Sequence, residues 1–245
     1  MKVEWQHKVG YMDINPVFRM KLGAFSQLLQ EAAVTHSERV GIHSRDLVAN
    51  GTVWVLNKMA FEFRRLPTFG EDIRVLTWHK GSRGVKAYRD FEVLVGEELL
   101  VSVASLWLFI DLKKKRPRRI PPAWQEVYTV ESGEALDFDL NGWQPGHPGA
   151  DAATIPITLR CSDFVPQGHV NHTAYFDFIE TLMDRTLGGG NAPQGLRIQF
   201  RREIPRQVTA ITAGMARSQT GAHFGFYNGD KTFVCGEIDF PRRRK

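Results

Sequence analysis

The chain has 245 residues, of which 42% are hydrophobic and 24% charged, with two cysteines and a formal net charge of +5. That is the balance of an ordinary globular chain, long enough for one large domain or two modest ones. Cys161 and Cys235 have no CxxC spacing, which argues against a zinc site and a disulfide-built secreted fold and makes a reducing, cytoplasmic compartment the expectation.

The first residues lack the basic-then-apolar pattern of a signal peptide, and no apolar run is long enough to span a bilayer. A pI near 9.3 favours an acidic partner. The basic residues gather at 113–119 and in the tail 242–245 without interleaved aromatics, so nucleic acid is not the expected partner.

In chain order, residues 3–9 alternate as a strand, and Asp13-Ile14-Asn15-Pro16 is a turn. After Gly23, the residues Phe25, Leu28, Leu29, Ala32, Ala33, His36 and Val40 recur at helical spacing, with Gly41 placed to close the helix. His36 on that face is expected to be a satisfied core histidine. Strands follow at 53–63, 72–80, 86–95 and 99–111, separated by Gly- and Pro-bearing turns. One helix followed by four strands in hairpin order predicts an α+β fold with a mostly antiparallel sheet.

Between Pro121 and Pro156 the periodicity dissolves into a linker or an excursion across the surface. The order then repeats. A strand is expected at 155–160, a helix carrying Tyr175, Phe178, Ile179, Leu182, Met183 and Thr186 that ends at Gly188-Gly189-Gly190, and three or four strands over 196–240. Residue identities repeat as well: Ala24-Phe25 matches Ala174-Tyr175 (175 − 25 = 150), and Phe61-Glu62-Phe63-Arg64-Arg65 matches Ile198-Gln199-Phe200-Arg201-Arg202 (200 − 63 = 137). This is a duplicated unit. In that register His169 stands opposite Arg19, and Asn171 opposite Lys21, so the polar chemistry is confined to the second copy.

The chemistry is sought in residues 162–175. Gly168-His169 in a polar loop just ahead of an apolar-periodic segment is expected to lie at a helix N-terminus, where N–H groups suit a developing oxyanion. Asp163 fits a turn or capping role and Asn171 a group that fixes the helix entry. Glu203, beside Arg201, Arg202 and Arg206, reads from local sequence alone as a cross-strand ion pair.

At these residues the chain resembles the acyl-acyl-carrier-protein thioesterases, enzymes built from two hotdog folds in tandem. The likeness rests on Leu28-Leu29-Gln30-Glu31-Ala32-Ala33 with His36, Val53-Trp54-Val55-Leu56-Asn57-Lys58-Met59, Pro67-Thr68-Phe69-Gly70-Glu71, Ser105-Leu106-Trp107, Ile120-Pro121, His169-Val170-Asn171 with Tyr175, and Phe200-Arg201-Arg202-Glu203. The resemblance implies a tandem double hotdog, each half a long helix wrapped by an antiparallel β-sheet. Its units are expected at 1–125 (acyl-chain binding, non-catalytic), 126–154 (linker) and 155–245 (catalytic). It also implies hydrolysis of fatty acyl-acyl-carrier-protein, with acyl carrier protein as partner, no nucleic acid, no membrane span, and a homodimer left open.

The related enzymes carry an Asp-x-Asn-x-His loop before the second helix and a Glu on the following strand. Carried over, the histidine falls on His169, the glutamate on Glu203 and the asparagine position on Gln167, while the aspartate position holds Val165. Asp163, two residues earlier, is the candidate to replace the missing carboxylate, and Asn171 is a further candidate. The cysteine sometimes considered as nucleophile in such enzymes would fall on Ile204, so Cys161 and Cys235 are expected to be small buried hydrophobes. The resemblance assigns the acyl tunnel mostly to the first half, where Phe25, Leu28, Trp54 and Met59 read equally well as ordinary core. No cofactor or metal is implied. The alternatives are an acyl-coenzyme A hotdog thioesterase and, because of Val165, a non-catalytic acyl-binding double hotdog.

Overall fold

A computed structural model of the chain describes residues 2–149, 151–188 and 192–241. The first half opens with β1 (Val3–Lys8), a 3-10 turn (Tyr11–Asp13), α1 (Leu22–Arg39) and the short α2 (Ser44–Ala49). Four long strands follow: β2 (Thr52–Phe63), β3 (Asp72–Arg83), β4 (Lys86–Val95) and β5 (Glu98–Asp111), then the two-residue β6 (Arg116–Pro117) and α3 (Ala123–Val127). The second half repeats the plan with β7 (Ala153–Thr158), a 3-10 turn (Cys161–Asp163), α4 (Ala174–Leu187), β8 (Gly195–Phe200), β9 (Ala210–Arg217), β10 (Gly221–Asn228) and β11 (Lys231–Asp239). α2, α3 and β6 are too short to show a period and carry no signal in the sequence.

Ten strands run in the order β1-β3-β4-β5-β2-β8-β11-β10-β9-β7, with β6 paired to β5. That order reads the same from either end once the halves are matched, so a pseudo-twofold passes between β2 and β8. These two are antiparallel, with Met59 opposite Ile198 and Phe61 opposite Leu196. Every pairing in the sheet is antiparallel. The architecture is a double hotdog: each half wraps its sheet around one long helix, and the two sheets are continuous.

The apolar spacing of the helices is what buries them. In α1 the inward face carries Phe25, Leu29, Ala32, Ala33 and His36; in α4 it carries Tyr175, Phe178, Ile179, Leu182 and Met183. Burying each Phe or Leu contributes roughly 1.5–3 kcal/mol. One core serves both halves: Phe61 of β2 stacks on Phe63 at 5.6 Å and meets Phe176 of α4 edge-on at 5.5 Å. Gly41, with φ +79° just past the end of α1, closes that helix through its N–H to the Glu38 carbonyl. Gly188 follows α4 at φ +82°; the expected Gly189 and Gly190 lie outside the described residues, as does the tail 242–245.

Of the first-half residues expected as core or tunnel, Phe25 and Met59 are buried in the common core and Leu28 packs at its margin. Trp54 belongs to a separate cluster with Ile42, Phe109 and Trp124. His36 is buried and accepts from the Arg89 guanidinium at its Nδ1 (2.9 Å), while Arg89 also donates to Thr77 Oγ1 (3.0 Å). Burial, then the Arg89 charge, pushes His36 down to about 3 and the neighbouring His79 to about 4.

The aperiodic stretch after α3 crosses the surface in close contact with it. Leu136, Phe138 and Leu140 cover Ala60, Ala104 and Leu106, and the buried Lys58 donates to the carbonyls of Leu140 (2.9 Å) and Trp143 (2.6 Å). Trp143 in turn donates to Glu237 of β11 (3.0 Å), so this segment ties the outer faces of both halves. Cys235 is buried as expected. Cys161 is exposed, because it opens the 3-10 turn on the loop surface, and the expectation for it is corrected. No helix among the described residues is long and apolar enough to cross a membrane.

Candidate functional site

The loop from Arg160 to Asn171 is a tight double-back. The Asp163 carbonyl accepts from Asn171 N–H (2.7 Å), the Val165 carbonyl from Gly168 N–H (2.9 Å), and the His169 carbonyl from Val165 N–H (2.9 Å). Gly168 sits at φ +84°, which lets the chain turn after Pro166-Gln167. His169 is then held as a strand-like rung against Pro205, with Arg206 N–H on the Gly168 carbonyl (3.0 Å) and Val170 N–H on the Ile204 carbonyl (3.0 Å). This corrects one expectation: α4 begins at Ala174, so His169 lies on a rung five residues ahead of the helix and not at its N-terminus.

That rung explains how two residues far apart in sequence meet. Glu203 sits beside the Ile204-Pro205 segment that pairs with the loop, and its Oε1 lies 3.9 Å from His169 Nδ1. The separation is that of an ion pair or a bridged contact, too long for a direct hydrogen bond. Both side chains reach solvent, His169 at 30% and Glu203 at 56% side-chain exposure. Among the described residues, the side chain facing Glu203 is that of His169, and neither Arg201, Arg202 nor Arg206 pairs with it. The cross-strand pair that local sequence suggests does not form.

The remaining candidates are placed differently. Gln167 is exposed at the tip of the turn, two residues before His169. Asp163 is 2% exposed, with Oδ2 accepting from Arg160 N–H (2.7 Å) and Oδ1 from the Arg160 guanidinium (2.7 and 3.0 Å). Its first-half counterpart, Asp13, does the same for Gly10 N–H (2.8 Å), so this carboxylate closes the turn in both copies. Asn171 accepts from Thr173 N–H at its Oδ1 (3.3 Å) and from Ala174 N–H at its carbonyl (3.1 Å), which sets the entry to α4.

Three further residues frame the His169 loop. His172 packs edge-on against Trp107 (6.1 Å) and Phe200 (5.9 Å), and burial, then the charge of His169, holds it down at about 4, so it is neutral at physiological pH. Asn57 of β2 donates from Nδ2 to the Phe200 carbonyl (3.1 Å). Tyr175, buried against Phe178, Phe200 and Phe226, has its phenol raised first by burial and then by the charge of Glu203, so it stays protonated. Trp107 and Asn57 come from the first half, so the second-half loop rests on both. Their signal was the runs 105–107 and 53–59 that carry the family resemblance; His172 had only its place beside Asn171. No group of three or more His, Cys, Asp or Glu among the described residues is arranged to hold a metal ion.

A family model described as the acyl-ACP thioesterase N-terminal domain matches residues 1–128. The chain is 26% identical over 203 residues to the chloroplastic acyl-[acyl-carrier-protein] hydrolase FATB3 of Cuphea viscosissima, covering 76% of this chain and 48% of that relative. It thus spans about half the length of the relatives it matches in sequence. Among solved structures, the 12:0-ACP thioesterase from Umbellularia californica superposes with a TM-score of 0.86 at 17% identity, covering 98% of this chain and 97% of that one. An acyl-ACP thioesterase from Bacteroides thetaiotaomicron gives 0.85 at 18% identity, covering 98% of each. At these identities the structural likeness is one of fold.

Proposed function

We propose that this chain, which belongs to the acyl-ACP thioesterase family, hydrolyses fatty acyl-acyl-carrier-protein to free fatty acid and carrier protein. The observation that carries the reading is the approach of Glu203 to His169, 3.9 Å apart, at a solvent-reaching loop floored by apolar side chains of both halves.

The steps follow from what a thioester needs. Water held between His169 and Glu203 gives a proton to the histidine as its oxygen attacks the carbonyl carbon. The carbonyl oxygen becomes an oxyanion, stabilised by loop N–H groups, with the exposed Gln167 amide available to the water or the carbonyl. Collapse restores the carbonyl and breaks the carbon–sulfur bond. The protonated His169 then returns its proton to the departing thiolate. Glu203 faces the same water across from His169; His172, held neutral with its value down at about 4, gives no competing charge beside it. In this scheme Asp163 and Asn171 serve the loop's shape.

Acyl carrier protein as the carrier is consistent with the net charge of +5, which steers an acidic partner. The test is a hydrolysis panel across acyl lengths, each acyl group offered on carrier protein and on coenzyme A. Faster turnover on carrier protein, with a rate at low substrate that falls as salt is added, is the expected result. No hydrolysis on either carrier, with fatty acyl ligand bound, would replace the enzyme with an acyl-binding protein.

A further inference from the structure

The loop at 160–171 shares its main backbone hydrogen bonds with the loop at 10–21. Asn171 N–H on the Asp163 carbonyl (2.7 Å) corresponds to Lys21 N–H on that of Asp13 (2.8 Å), and Val165 N–H on the His169 carbonyl (2.9 Å) to Asn15 N–H on that of Arg19 (2.8 Å). Gly168 N–H on the Val165 carbonyl corresponds to Phe18 N–H on that of Asn15, both at 2.9 Å. Over 10–21 and 160–171 the backbones therefore run alike, and the copies differ in what receives the N–H groups there and at the helix entry that follows.

In the first half three N–H groups end on side-chain oxygens. Asn15 Oδ1 accepts from Val17 and Arg19 (3.1 Å each), and Glu180 Oε2, reaching across from α4, accepts from Leu22 (3.0 Å). Asn15 Nδ2 also donates to Glu180 Oε1 (3.3 Å), so the two acceptors touch and the three donors converge on one spot. The second-half counterparts are Gln167, His169 and His172. The residue in the place of Asn15 is Val165, which accepts nothing, and the residue in the place of Glu180 is Gln30 of α1 (180 − 150 = 30), a neutral amide. Among the described residues, no protein acceptor bonds these three N–H groups.

We propose that Val165 is a positioning residue that, with the Gln30 side chain left unbonded to the loop, keeps open a three-amide receptor, formed by Gln167, His169 and His172 N–H, for the thioester carbonyl oxygen and the oxyanion it becomes. The first half holds the same receptor closed by its own Asn15 and Glu180. Valine in the place of the family carboxylate is then a substitution that frees two donors. The proposal rests on the hydrolase reading for its substrate, but its binding arm does not.

The experiment is an amide NMR titration of the whole chain with saturated fatty acid anions, whose carboxylate oxygen stands in for the oxyanion. Resonances of Gln167, His169 and His172 should shift, while those of Val17, Arg19 and Leu22 stay. Val165→Asn should abolish the shifts of Gln167 and His169, leave that of His172, and lower kcat by about 10²-fold or more, with a much smaller change in KM, since the loss falls on transition-state stabilisation. In the converse variant, Asn15→Val with Glu180→Ala, the first-half resonances should begin to shift. If the three second-half amides do not respond in the unmodified protein, or if Val165→Asn keeps both its shifts and its kcat, the proposal is overturned. Amide shifts without hydrolysis would defeat the hydrolase reading and leave this one standing; hydrolysis without amide shifts would do the reverse.

Discussion

The loops at 10–21 and 160–171 share a backbone and face solvent in opposite characters. Around the first, Tyr11, Met12, Val17, Phe18 and Phe69 are exposed, and the Phe69 ring meets Tyr11 and Phe18 edge-on at 6.4 Å each. Around the second stand Cys161, Ser162, Gln167 and the His169–Glu203 pair. A duplicated fold has kept its hydrogen-bonded frame in both copies while side chains reassigned its use. Hydrogen-bonded turns are costly to alter because every buried N–H must find another partner, whereas outward side chains are cheap to exchange.

The sharpest way to break this comparison is to substitute the same position in each loop. His169→Ala should lower turnover of acyl carrier-protein thioesters by roughly 10²–10⁴-fold, the usual worth of a general base. Arg19→Ala, its counterpart, should stay within about twofold, as for a surface change. Equal effects would mean that the division of labour is wrong.

Acid should lower the stability of the whole chain through buried histidines in both halves. His36 and His79 in the first half and His172 in the second are held neutral in the fold, at about 3, 4 and 4. Their folded values lie below the unfolded one, near 6.5, so the stability they hold at neutral pH is lost as pH falls from there toward 4. Each contributes about 1.4 kcal/mol per pH unit across that window. Asp90, raised by burial to about 6, works in the opposite sense between there and its ordinary value, and removes about one proton from the balance. Urea unfolding at pH 7 and pH 5 should therefore show a marked loss at pH 5, with His36→Phe flattening the slope by about one proton.

A smaller effect is expected where α4 reaches into the first half. Glu180→Ala removes the acceptor for Leu22 N–H and a partner of Asn15, and should cost about 1–2 kcal/mol, a fall of a few degrees in Tm. Gln30→Ala should cost less than about 0.5 kcal/mol. The smallest contrast is conformational. Phe18 and Gly168 occupy matching left-handed positions at φ +60° and +84°. Gly168→Ala should cost about 1 kcal/mol, while Phe18→Gly, which trades strain for chain entropy, should leave Tm nearly unchanged.

Much of this is legible in the sequence. The apolar spacing of Phe25, Leu29, Ala32 and Ala33, and of Tyr175, Phe178, Ile179 and Leu182, gives both helices, because an amphipathic face repeats locally. The hairpin strands were bounded by their turn residues. What was hidden is non-local. The rung that brings Glu203 to His169 is a single pairing with Pro205, and the Lys58 contact with the 140–143 carbonyls joins residues more than 80 apart. Cys161 looked like a core residue because composition does not tell which side of a turn faces water. The pairing of Asn15 with Val165 was available from the 150-residue offset, but its meaning depends on where the Asn15 oxygen points.

The antiparallel seam between β2 and β8 bears on how the chain can be divided. Separating the halves would uncover the outer edge of a 12-residue strand on one piece and of the 6-residue β8 on the other, each with a row of unpaired N–H and C=O groups beside apolar side chains such as Phe61 and Ile198. Such edges recruit other strands. Either half expressed alone should therefore self-associate or aggregate, and a linear chain carrying both copies ensures that each edge meets its intended neighbour at high effective concentration.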